Sequence, residues 1–250
     1  MIKLSNRDEL KCISFITLSQ YKAGNLLLYA KKTLPFDIEL TSKISEEISK
    51  KIIQTITNNP NIKNIKNIIN ELNYHKIFTI KNAKDEIINF YVIIGCSYSE
   101  DESFISFSSV GNLNDNYKNI IIEINEKYKP NDFLENDSYL NFILKSALLH
   151  EMAHVADIDL KEIYEDINKN IYYNQKIELR ALLIQIIHEL TSQFKNNEEI
   201  KKNKLEDILK NSENYQIAEE YLNEESKKYI LQVLYNHFYN PKENKENDKK

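Results

Sequence analysis

Two histidines four residues apart, at the end of an apolar stretch, constrain this chain more than any other feature. They stand in His150-Glu151-Met152-Ala153-His154, directly after Ser138 to Leu149. In that stretch Leu140, Ile143, Leu144, Ala147 and Leu148 recur at helical spacing, which predicts a helix with one face to bury, and Asp137 stands where an N-cap belongs. On such a helix the two imidazoles lie one turn apart, about 40° around the axis and about 6 Å along it. Both can reach one metal ion, and Glu151 projects beside them, where it can hold a water on that ion. The competing reading is a helix with incidental histidines paired to acids. It has to contend with the scarcity of the residue, since the chain has five histidines in all.

The rest of the chain divides by character near residue 80. Before it, residues 7–32 read as helical. Ile44, Ile48, Ile52 and Ile56, four apart after Thr41-Ser42, predict a second helix that ends at Asn58-Asn59-Pro60, and Asn61 to Leu72 predicts a third. These form a helical cap or arm over residues 1–80. After it, Ile87 to Gly95 and Ser103 to Val110 read as strands. In Asn119 to Asn125, Ile120, Ile122 and Ile124 point one way and Ile121, Glu123 and Asn125 the other, a strand with one wetter face. Past the motif, residues 159–174 are polar and acidic, Gln175 to Phe194 is an apolar helix, and Lys204 to Tyr239 carries two more. The main domain spans 81–240, and 241–250 is a charged tail.

Composition narrows the setting. A net charge of -5 argues against nucleic acid as a partner. No segment reaches 18 apolar residues, so no membrane span is expected. The N-terminus lacks a basic-then-apolar secretory pattern, and Cys12 and Cys96 form no disulfide framework. The expected location is the cytoplasm, with signal-independent export left open.

Two histidines do not complete a catalytic zinc site, which takes three protein ligands. His75 has no spacing relation to the motif, and His188 and His237 sit on apolar helices, where a core histidine is the expectation. Asp157 shares the motif's helical face but lies about 10 Å along the axis from His150, too far to share its metal. It reads either as an acceptor for a ligand imidazole's N–H or as a solvated surface acid. Glu178 opens the next apolar helix, and Ala181, one turn on, is small enough to let the two helices approach. Glu178 there can reach across to a metal held by the motif helix and is the favoured third ligand; the alternative is a first-turn glutamate favoured by the helix dipole, and Glu162, Glu165 and Asp166 are the fallbacks.

His150-Glu-Met-Ala-His154 followed by Glu178-x-x-Ala181 resembles the gluzincin branch of the zincin metallopeptidases. It is similar above all to phage-type peptidases and to the catalytic domain of anthrax lethal factor, and Val155-Ala156-Asp157 stands where those families carry a similar run. The likeness covers roughly residues 85–195, and residues 1–80 match nothing in it. It implies a helix-rich α+β fold: a small mixed sheet, an active-site helix beneath it, and a following helical subdomain. It implies zinc on His150, His154 and Glu178 with Glu151 as general base. Tyr172 and Tyr173 precede Glu178 where lethal-factor-like enzymes use a tyrosine, and Tyr173 is the one favoured. The strand around Ile122 and Glu123 is expected to be a sheet edge that pairs with an extended substrate.

The reading that follows is a zinc metallopeptidase acting on a peptide or protein through a zinc-activated water, Glu151 taking the proton. Its rivals are a toxin or effector protease with a single host target, a catalytically idle zincin-fold binding module of a phage or mobile element, and a helical interaction protein with a chance motif. Nothing in the sequence sets the substrate or the oligomeric state.

Overall fold

The computed structural model describes residues 38–81, 87–114, 117–156, 168–194, 199–200 and 204–239. The helix expected over 7–32, Asp157, Glu162, Glu165, Asp166 and the tail lie outside the described residues.

Helix α1 runs Ile38–Asn58 and α2 runs Ile65–Leu72. Ile44, Ile48, Ile52 and Ile56 of α1 are at most 4 % exposed. Beside them Thr41, Ser45 and Ser49 are also buried, and Thr41 Oγ1 donates to Met152 Sδ at 3.2 Å, so small side chains bring α1 close to the motif helix. Helix α2 starts where the Asn64 side chain accepts from Lys66 N at 2.7 Å. It stops at Asn73, left-handed at φ 41°, whose N–H bonds Ile69 O. Asparagine tolerates that conformation better than most residues with a side chain.

Strand β1 (His75–Lys81) was not expected, and it crosses the position of the sequence boundary. It is followed by β2 (Ile87–Ser97), β3 (Ile105–Asn114) and β4 (Tyr117–Asn125). The described strands form one mixed sheet in the order β1-β2-β4-β3, with β2 parallel to β4 and the other pairs antiparallel. Ile80, Phe90, Val92, Ile94, Ile120, Ile122 and Ile124 point to one face and are buried in a single cluster with α1, α2 and the motif helix. The described residues before 81 are therefore built into the same core as the motif. No described helix is long and apolar enough to cross a membrane.

The sheet order corrects one expectation. Strand β4 is interior and hydrogen-bonded on both sides, Ile122 is wholly buried, and Glu123 pairs with Gly95 on one side and Phe107 on the other. Ile122 and Glu123 have no free main-chain edge to give a substrate. Among the described strands the edges are β1 and β3.

Helix α3 (Pro130–Glu135) leads into the motif helix α4 (Asp137–Ala156), in which Asp137 is the first helical residue. Beyond it come α5 (Lys169–Tyr172), α6 (Lys176–Gln193), α7 (Leu205–Leu209), α8 (Glu213–Glu219) and α9 (Glu224–Phe238). Leu182, Ile186 and Leu190 of α6 anchor a second apolar cluster with Ile208, Ala218, Ile230, Leu234 and Phe238. Helix α4 belongs to the first cluster, α6 to the second, and the two helices pack against each other. The fold is helix-rich α+β, as the sequence led one to expect.

Candidate metal centre

The junction of α4 and α6 holds the polar residues that the two apolar clusters exclude. One helical turn separates His150 from His154, and their rings meet edge to face with centroids 4.7 Å apart. Their Nε2 atoms are 3.0 Å from each other. From the first turn of α6 the Glu178 carboxylate enters between them, Oε2 3.4 Å from His150 Nε2 and Oε1 3.5 Å from His154 Nε2. Ala181, wholly buried one turn on, is the small residue that permits this approach. The three side chains offer one donor atom each, all within 4.8 Å of one another.

Burial and charge shape the centre together. Glu178, His154 and Glu151 are each 3 % exposed. Burial pulls the His150 imidazole down, but Glu178, Glu151 and Gln185 outweigh it and carry its pKa up to about 9. Burial pushes Glu178 up, but the two imidazoles outweigh it and hold the carboxyl well below the usual range. Two buried atoms, Glu178 Oε2 and His154 Nδ1, have no hydrogen-bond partner among the described residues. A nitrogen–nitrogen–oxygen donor set converging on one point, with a buried carboxylate oxygen otherwise unsatisfied, could hold a metal ion.

Glu151 points toward the sheet. Ser108 Oγ of edge strand β3 donates to Glu151 Oε1 at 2.7 Å. Ser108 pairs with Ile122 in the rank of strand residues that faces the helices, so it is a polar break in an apolar row. At the end of α4, Lys118 Nζ of β4 donates to Val155 O at 2.8 Å, a cation where the helix dipole favours one.

Of the two tyrosines, the structure brings Tyr172 to the centre rather than Tyr173. Burial first, then the Glu178 and Glu151 carboxylates, push the Tyr172 hydroxyl far above its ordinary range. Tyr173 stacks on Tyr221, centroids 5.5 Å apart and planes 13° apart, against the second cluster.

The remaining histidines lie elsewhere. His75 stacks on Tyr91 in the sheet, and His237 lies edge to face with Phe238 on α9. His188 stacks on Phe142, and burial drops its pKa to about 4. Arg180 is half-buried and acts on Tyr229 of α9. Two partners of the centre had no sequence signal of their own: Ser108, and Gln185, whose Oε1 lies 3.0 Å from His150 Nδ1. Both are neutral residues whose meaning depends on what they approach in space. No family model matches the chain, and neither a curated protein nor a solved structure matches it, so the function is read from the centre's own residues.

Proposed function

We propose that the chain is a zinc-dependent peptidase of gluzincin type, with the metal on His150, His154 and Glu178 and Glu151 as general base. The observation that carries this is Glu151 itself. It is a buried carboxylate beside the donor set yet outside it, tied through one oxygen to Ser108. A purely structural metal site has no use for such a group.

Zinc held there would supply a Lewis acid that polarises a carbonyl and acidifies water. The chain's own residues do the rest. Ser108 occupies Glu151 Oε1 and leaves the other oxygen to take a proton from the attacking water and pass it to the leaving amine. The Tyr172 hydroxyl keeps its proton at working pH and can donate it in a hydrogen bond to a developing oxyanion. Strand β3, whose outer edge has no pairing strand among the described residues and whose Ser108 lies on Glu151, is the place for an extended peptide to add as a further strand. Its regular stretch is Phe107 to Asn112, between two register shifts.

The test is a digest of a peptide library by the purified protein, read by mass spectrometry with and without chelator. The wild type should cleave and carry close to one zinc per chain, and Glu151→Gln should keep the zinc and lose cleavage. Cleavage that survives in Glu151→Gln, or a wild type with zinc and no cleavage of any peptide, would remove the peptidase reading.

A further inference from the structure

A histidine ligand has two ring nitrogens, and something must decide which one faces the metal. At His150 that decision can be followed atom by atom. Gln185 lies two turns beyond Glu178 on α6, on the face turned to α4. Its Oε1 is 3.0 Å from His150 Nδ1, and its Nε2 is 3.4 Å from both the main-chain oxygen and Oγ of Ser146. A main-chain carbonyl can only accept. The amide nitrogen must therefore turn to Ser146 and the amide oxygen to His150. An amide oxygen also only accepts, so His150 Nδ1 carries a proton and donates it. Nε2 is thereby left facing His154 and Glu178.

Ser146 is held in turn. Asn214 Nδ2, from α8, lies 3.4 Å from Ser146 Oγ and donates to Glu189 Oε1 at 2.7 Å. The other Glu189 oxygen accepts from Ser212 Oγ, and Ser212 caps α8 by accepting from Tyr215 N at 3.2 Å. Glu189, one turn beyond Gln185, is 2 % exposed. The Glu189 carboxylate is thus kept a turn away from His150 Nδ1, and a neutral amide meets that side of the ring. The centre already buries Glu151 and Glu178, and a third carboxylate against His150 would be costly to desolvate.

We infer that Gln185 is the positioning residue of the metal centre, its amide oxygen holding the His150 Nδ1 proton so that Nε2 is the atom presented to a divalent cation. This rests on the metal-centre reading but not on peptidase activity. Zinc affinity is measured on the full chain by competition with a chelating dye, for the wild type and for Gln185→Leu, which keeps the bulk and lacks the acceptor. Gln185→Leu is expected to bind zinc about 10- to 100-fold more weakly, the usual cost of losing the partner of a ligand histidine. Thermal unfolding in chelator checks that the variant is folded.

A second readout needs no variant. With five histidines, nitrogen-labelled imidazoles in the zinc-loaded wild type can be resolved. His150 is expected to show zinc on Nε2 and a solvent-protected proton on Nδ1, and that protection should vanish in Gln185→Leu. A folded Gln185→Leu within twofold of wild-type affinity, or coordination of His150 through Nδ1, would overturn the inference. A wild type that takes up no zinc overturns the metal centre itself, whereas zinc uptake without hydrolysis removes only the peptidase.

Discussion

Between His150, His154 and Glu178 a proton and a divalent cation compete for the same place. In protein stripped with chelator, His150 holds its proton up to about pH 9 because Glu178 faces it. Zinc must displace that proton. Zinc affinity should therefore rise with pH, by about tenfold per unit, from about 6.5 to about 9, with close to one proton released per zinc. Calorimetric titrations in buffers of different ionisation enthalpy measure both quantities, and an affinity flat across that range would contradict the couple. The stability of the stripped protein runs the other way. His150, raised above its ordinary 6.5, contributes fully below that value and loses its contribution as the pH climbs through about 9. Glu178, lowered from its ordinary 4.5, contributes above that value and loses its contribution as the pH falls. The pair is fully effective only between 4.5 and 6.5.

Among the elements, β3 and α4 are joined by the hydrogen bond from Ser108 to Glu151. A hydrogen bond to a charged group is worth about 1.5 to 3 kcal/mol. If it sets the position of the base, Ser108→Ala should slow cleavage by about 10- to 100-fold and leave zinc affinity unchanged, since Ser108 touches none of the three donors. Equal rates for the two proteins, or a parallel loss of zinc, would assign Ser108 a different role. The elements also show what a sequence can and cannot convey. Helices α1 and α4 were legible because burial of one face imposes a period on the residues themselves. The same period marked His150, Glu151 and His154, and the start of the next apolar helix marked Glu178. Strand β1 was missed, although Tyr74, Phe78 and Ile80 alternate with Ile77, because it is short and follows directly on a helix. Sheet order was out of reach for a different reason. The alternation in β4 reports that its two faces differ, and says nothing about which strands lie beside it. Ser108 and Gln185 depend on register and helix packing, which no local pattern records.

At the scale of the molecule, the centre sits between two apolar clusters. Both histidines come from a helix of the first and Glu178 from a helix of the second. A metal bound there links the clusters and should stabilise both. At a free zinc concentration about 1,000 times the dissociation constant, binding adds about 4 kcal/mol. For a chain of this size that corresponds to a rise in Tm on the order of 10 °C. Scanning calorimetry with zinc and with chelator should show that rise, and a shift below about 2 °C would mean the centre does not bridge the clusters. The division also has a consequence in time. Chains are made from the N-terminus and fold as their parts emerge. The first cluster, with both histidines and Glu151, emerges from the ribosome before Glu178, Gln185 and Asn214 do. The candidate metal centre is thus completed last, and a nascent or prematurely terminated chain carries the motif without its third donor.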